Sequence, residues 1–330
     1  MSRTQNLDAW LRQRLPGEAF ELTPASEDAS FRRYFRVGTR QGTRIVMDAP
    51  PEHEDCRPFV KVARLFLAAG VHVPEVLAED FDNGYLLLSD LGNTTYLQAL
   101  NAGRADELYS AANDALIRIQ LASRPEILPD YDRELLLREL RLFPDWYVRR
   151  HLGIALSDAQ AQALGAVFES ILANNLAQSR VYVHRDYHSR NLMLCDPCPG
   201  ILDFQDAVYG PVTYDLASLY RDAYIAWDEE RVIDWTVRYW EKARKAGLPV
   251  DRDFGAFYRD FEWMGVQRHI KVLGIFARLF HRDGKDRYLQ DMPLVMSYVR
   301  NACARYAELS ALLRLLDELE QRAPAAGYSF

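Results

Sequence analysis

The 330-residue sequence has no long apolar run: stretches such as Tyr85-Leu86-Leu87-Leu88 fall far short of the roughly 20 residues that a membrane span requires. It is also short of basic charge. Lys and Arg number 40 against 47 Asp and Glu, a formal net charge of −7, and no Lys/Arg run supplies the basic face that nucleic acid demands. The first residues, Met1 to Asn6, carry no apolar stretch after their charge, so a secretory leader is not expected. These absences predict a cytoplasmic protein with neither membrane nor nucleic acid as its partner; a monomer is expected, though nothing in these absences bears on that. Cysteine is scarce as well, with four in all. Cys195 and Cys198 have the spacing of half a metal site, yet Cys56 and Cys303 stand alone and a structural zinc needs four ligands. With Asp196-Pro197 between them, the pair predicts a hairpin turn.

What is present is an ordinary globular balance, 49% apolar and 26% charged, in a chain long enough for two domains or one large bilobal unit. Phe31, Arg33, Phe35 and Val37 alternate with Arg32, Tyr34 and Arg36, which predicts a strand. Gly38 to Gly42 turns the chain, and Arg44 to Met47 continues as a second strand. Phe59, Val62, Ala63, Phe66 and Leu67 then fall on one helical face, and Gly70 ends that helix. Val76 to Phe81 and Tyr85 to Leu88 flank Asn83-Gly84, a strong hairpin signal. Residues 1–88 therefore read as a small antiparallel sheet with one packed helix. Past Asp90-Leu91-Gly92 the pattern becomes helical. Leu108, Ala111, Ala112, Ala115, Leu116 and Ile119 form a stripe, and Ser157 with Gln160 makes a capping box for a helix to about Leu176. After Asp215 the chain is helical almost throughout, with breaks near Gly247 and Pro293. The expected fold is α+β and bilobal: an N-lobe at 1–88, a hinge at 89–92 and a helical C-lobe at 93–330, with a ligand in the hinge crevice.

Chemistry concentrates in one stretch. Val183-His184-Arg185-Asp186 is followed by Asn191, and Ile201-Leu202 leads into Asp203-Phe204. This is the order H-R-D-x-x-x-x-N, then a strand ending in Asp-Phe, of a kinase catalytic loop. Phosphoryl transfer asks a protein mainly for positioning and for neutralisation of phosphate charge. Asp186 is the candidate base, placed to accept the proton of an attacking hydroxyl. Asn191 and Asp203 supply the hard oxygen atoms that suit Mg²⁺ held on a nucleotide. His184 fixes the loop by packing or hydrogen bonding, and Arg185 is either structural or reaches substrate.

The chain resembles the aminoglycoside phosphotransferase family of protein-kinase-like small-molecule kinases, and within it the bacterial anomeric kinases of N-acetylmuramate and N-acetylglucosamine. The residues that carry the likeness are Ser26 to Arg36, Met47 to Glu52, Leu88 to Gly92, the catalytic loop, Asp203 to Pro211 and Tyr214 to Leu219. The resemblance implies ATP and Mg²⁺ as cofactors and an amino-sugar acceptor phosphorylated at C1. It implies a loop at Ala25 to Ser30 over the phosphates. That loop contains no glycine, so Ser26, Ser30 and backbone N–H groups would do the cradling. Leu88 would line the adenine, while Ser89 and Leu91 would read it through a carbonyl and an N–H. Asp215 would anchor the catalytic loop, and Asp206 would either support the metal from behind its ligands or, the favoured reading, be a turn residue.

Two departures stand out. The strand around Arg44 to Asp48 lacks the usual phosphate-binding Lys, and Arg32, Arg33 or Arg44 either replaces it or is an ordinary surface arginine. Gln205 replaces the usual Gly after Asp-Phe. Only 12 positions separate Asp203 from Asp215, too few for a peptide platform, which favours a small acceptor. For that acceptor the candidates are Tyr187 and His188 beside the base, Arg221 with Asp222, and Trp263, Arg268 and Lys271 along one helix. An Arg268/Lys271 pair would hold a lactyl carboxylate and Trp263 would stack on a sugar ring; otherwise this is a buried apolar helix whose cations snorkel to water. The rival readings are an aminoglycoside kinase, for which Asp222, Asp228, Glu229 and Glu230 would form an acidic pocket, and a nucleotide-binding pseudokinase.

Overall fold

The computed structural model describes residues 2–27 and 31–322. In chain order the elements are α1 (Arg3–Arg14), β1 (Glu21–Glu27), β2 (Arg33–Thr39), β3 (Gly42–Asp48), α2 (Arg57–Ala68), β4 (Val76–Asp80), β5 (Tyr85–Ser89), α3 (Tyr96–Ala99), α4 (Ala105–Leu121) and α5 (Arg133–Leu140). A π-helix (Phe143–His151), α6 (Asp158–Ala177), β6 (Arg180–Val183), β7 (Leu192–Met193), β8 (Gly200–Ile201) and β9 (Val208–Pro211) follow. Then come α7 (Tyr214–Tyr220), α8 (Glu229–Lys245), α9 (Phe254–Asp283), α10 (Met292–Arg305) and α11 (Ser310–Arg322). The chain divides into two compact units, Met1–Ile119 with Arg190–Ala207, and Gln120–Ser189 with Val208–Phe330. No described helix is long and apolar enough to cross a membrane.

The first unit is built on a five-stranded antiparallel sheet in the order β1-β2-β3-β5-β4. Side chains alternate across a strand, so Phe35 and Val37 of β2, Val46 of β3 and Leu87 of β5 share one face. That face packs against Leu7, Trp10 and Leu11 of α1. Helix α1 extends the sequence reading, which placed one helix in this region. Ser2 caps it and Gln5 completes a capping box. Leu86 and Leu88 point to the opposite face and are buried too, which explains why Tyr85 to Leu88 is apolar at every position. The β4–β5 turn closes at Gly84, where φ is +70° and an added Cβ would lie 1.8 Å from the Ala49 carbonyl oxygen, so only glycine fits. Asp196 and Pro197 sit in the turn of the β7–β8 hairpin, as expected, and Cys195 and Cys198 are free thiols.

The second unit is organised around α9, a 30-residue helix capped by Asp253 and ended by Gly284 in a left-handed conformation. It packs against α5, α6, α7, α10 and the π-helix. The π-helix comes close at Gly274, where an added Cβ would meet Leu142 backbone at 2.4 Å. Helix α9 is buried on all sides from Phe261 to Gly274, and that stretch includes Glu262, Gln267, Arg268, His269 and Lys271. Burying a charge is costly unless it is paired, so the partners of these residues decide what the helix does.

Candidate active site

The catalytic loop hangs from one buried carboxylate. Asp215, in the first turn of α7, accepts the backbone N–H of His184 at 2.7 Å and that of Arg185 at 3.0 Å. The Asp186 N–H donates to His184 Nδ1 at 3.2 Å, so His184 holds the loop by hydrogen bonding, one of the two roles its sequence context suggested. Ser189 N–H donates to Asp222 at 2.9 Å, closing the far end of the turn. Arg185 adopts a left-handed φ of +78°, a conformation costing a non-glycine residue about 1–3 kcal/mol and tolerated only where its surroundings hold it. What holds it is Glu139 of α5, whose Oε1 meets the Arg185 guanidinium at 2.5 Å and Lys271 Nζ at 3.0 Å, while its other oxygen accepts the Tyr131 hydroxyl. Lys271 also donates to Tyr214 Oη at 3.0 Å.

The electrostatics follow from this packing. Burial pushes the Glu139 carboxyl up, but Lys271 and Arg185 more than reverse that and hold it below the usual carboxylate range. For Asp186, burial again opposes ionisation, yet Lys271, His188, Arg268 and Arg185 bring it down to about 2. Asp186 is therefore a fully formed carboxylate at neutral pH. Burial pushes Asp215 up to about 7, against the two amides that favour its anion.

In the first unit, Asn191 and Asp203 come together across the β7–β8 hairpin. The Asn191 amide donates to Asp203 Oδ2 at 3.4 Å, and Leu202 N–H to the Asn191 carbonyl at 2.9 Å. Gln205 Nε2 donates to Asp203 Oδ1 at 2.8 Å. Asp203 also has a left-handed φ, +62°. Phe204 offsets that strain: its ring is buried against Phe59 and Phe66 of α2 at centroid distances of 4.8 and 5.9 Å, and burying such a ring contributes about 1.5–3 kcal/mol. Among the described residues no group of three or more His, Cys, Asp or Glu could hold a metal. One amide and one carboxylate instead fit an ion whose remaining ligands are phosphate and water, the usual state of Mg²⁺ on a nucleotide.

The other expected residues divide clearly. Arg33 pairs with the buried Asp48, which also takes Arg3 at 2.6 Å, and Arg44 approaches Glu18 at 3.8 Å. Arg32 is half-buried beside β2. Ser26 lies in β1, its backbone paired with Tyr34, so the strand extends into the stretch expected to be a loop; Ser30 lies outside the described residues. Leu88 and Leu91 are buried, and the Ser89 side chain accepts the Glu75 N–H at 2.8 Å. Tyr187 is buried edge-on to His184, and His188 edge-on to Tyr224. Arg221 is sequestered by Glu229 at 3.0 Å and Glu262 at 3.3 Å. Trp263 is only 2% exposed, with its ring against Tyr306 and Arg259. Arg268 and Lys271 do not snorkel; they are 3% and 6% exposed. Sequence reasoning passed over Glu139, whose signal was a carboxylate on the same helical face as Leu136 and Leu140. It also missed Asp90, which clamps Arg36 through bonds of 2.6 and 3.1 Å beside the expected hinge.

Residues 21–254 match the phosphotransferase enzyme family. The chain is 53% identical to the N-acetylmuramate/N-acetylglucosamine kinase of Pseudomonas aeruginosa, across 98% of this chain and 99% of that one. It is 51% identical to the kinase of the same name in Neisseria meningitidis, across 97% and 96%. Among solved structures, a choline/ethanolamine kinase family protein from Mesorhizobium loti superposes with a TM-score of 0.64 at 15% identity, covering 96% of this chain and 100% of that one. Aminoglycoside 2′-phosphotransferase-IIIa, solved with GDP, also gives 0.64, at 12% identity over 91% and 99%. The fold is thus the α+β protein-kinase-like one that the motifs implied, and the protein is a phosphotransferase. It belongs to the phosphotransferase enzyme family, whose likeness was already legible in its motifs.

Proposed function

We propose that this protein is an ATP-dependent amino-sugar kinase that transfers the γ-phosphoryl group to the anomeric C1 hydroxyl of N-acetylmuramate or N-acetylglucosamine, a cytoplasmic step in peptidoglycan recycling. The observation that carries the reading is the 53% identity over 98% of the chain to a relative bearing that name. Asp186 accepts the hydrogen bond of the acceptor hydroxyl, orients it, and takes its proton as the new P–O bond forms. A carboxylate held near pKa 2 is a weak base, which suits a loose transition state in which the proton moves late and orientation matters most. An anomeric hydroxyl, more acidic than a simple alcohol, asks little more. Asn191 and Asp203 hold the magnesium ion, which when bound neutralises charge on the phosphates. Leu88, Ser89 and Leu91 line and read the adenine, and Arg32 is the cation for the phosphates, Arg33 being held by Asp48. Asp215, Glu139 and Lys271 position the loop.

The aminoglycoside reading loses its main support, because two of its four acids are engaged by internal partners. Glu229 binds Arg221, Tyr258 and Arg305, and Asp222 accepts two backbone amides. The test is ATP consumption by purified protein with the two free amino sugars, choline-like alcohols and kanamycin, followed by phosphorus NMR of the product. A sugar 1-phosphate is expected; turnover with kanamycin and with neither amino sugar refutes the proposal.

A further inference from the structure

We infer that Arg268 is the specificity residue for a carboxylate on the acceptor, so that it selects N-acetylmuramate over N-acetylglucosamine. This rests on the amino-sugar reading above and deepens it. The sequence suggested Arg268 and Lys271 as a pair, and the structure separates them. Lys271 is already committed to Glu139 and Tyr214, both at 3.0 Å. Arg221, the other buried cation packed against this part of α9, has Glu229, Glu262 and Tyr258. Arg268 differs from both: it is 3% exposed, and its Nε and Nη1 meet no hydrogen-bond partner among the described residues.

Its neighbours place it beside the catalytic loop. Lys271, one helical turn on and so on the same side of α9, is tied through Glu139 to Arg185, the residue before the base. His269, next in sequence, bonds the Arg221 carbonyl at 2.9 Å, one residue before the Asp222 that anchors Ser189. The flanking groups suit an anion. Burial, Arg268 and Arg221 drive His269 down to about 3 and leave it neutral, so no further cation competes. Asp186 and Asp215 both feel the charge of the guanidinium, yet neither reaches its Nε or Nη1 with a hydrogen bond, and Asp215 is taken by the loop amides. A buried guanidinium without a fork partner is costly to the empty enzyme, and a carboxylate is the group whose geometry satisfies it in two bonds. N-acetylmuramate differs from N-acetylglucosamine by one lactyl carboxylate, which makes the two sugars a matched probe pair.

The test compares kcat/KM for both sugars in wild type, Arg268→Met and Arg268→Lys. In Arg268→Met the value for N-acetylmuramate falls about 100-fold while that for N-acetylglucosamine changes less than about five-fold. Arg268→Lys, which keeps the charge without the fork, is intermediate for N-acetylmuramate and decides the matter if the Met variant does not fold. Equal losses for both sugars, or an unchanged ratio in the Lys variant, overturn the assignment. Wild type that phosphorylates neither sugar overturns the kinase reading instead, so the two failures are distinguishable.

Discussion

Glu139→Gln is the most informative single change, because one buried carboxylate balances two buried cations, Arg185 at 2.5 Å and Lys271 at 3.0 Å. The amide keeps the volume and can still accept from Tyr131, but both cations lose their counter-charge. Breaking a buried ion pair by removing one partner costs about 3–5 kcal/mol, chiefly through the uncompensated charge left behind. A domain of 150–250 residues loses roughly 2–4 °C of Tm per kcal/mol, so the midpoint should fall by about 10 °C. The folded pKa of Glu139 is depressed, so its contribution is complete above the ordinary carboxylate range and disappears as the pH falls through the folded value. The gap between wild type and variant is therefore widest near neutrality and closes below about pH 4. Lys271→Met added to Glu139→Gln should restore part of the loss, since one of the stranded cations has gone. Calorimetry of the four proteins across pH measures the coupling. A Glu139→Gln midpoint within about 1 °C of wild type at pH 7 refutes the account, as does additivity of the two changes.

Asp186→Asn should lower kcat by about 10²–10⁴-fold with little change in nucleotide affinity, measured by steady-state kinetics and nucleotide titration. With Asp186 ionised down to about 2, protonation of the base should add no acid limb to the wild-type kcat/KM profile above roughly pH 4. Asp203→Ala should weaken ATP binding in the presence of Mg²⁺ by at least about tenfold and leave metal-free binding little changed, by calorimetric titration with and without the metal. Gly84→Ala should cost about 2 kcal/mol or more by denaturant unfolding, from the positive φ and a Cβ forced to 1.8 Å from the Ala49 oxygen.

Local chemistry was readable in the chain itself. The Asn83-Gly84 hairpin, the Ser157 capping box and the helix ending before Gly70 each depend on residues a few positions apart, and each is present. The His184 to Asn191 motif marked the stretch that Asp215 and Asp222 hold as a loop. Helix α1 went unread: Ser2 and Gln5 mark its start, but its polar composition hid it until the sheet supplied a face to bury. Partners distant in sequence were beyond such reading. Nothing near Glu139 announces Arg185 or Lys271, 46 and 132 positions away, and nothing near Asp48 announces Arg3. The sequence by itself determined local features, the hairpin turns, caps and helix ends, since propensity and capping act over a few residues. Tertiary structure alone decided which buried charges are closed by hydrogen bonds and which, like Arg268, keep donors without one, because pairing depends on long-range packing that brings distant side chains within hydrogen-bond reach.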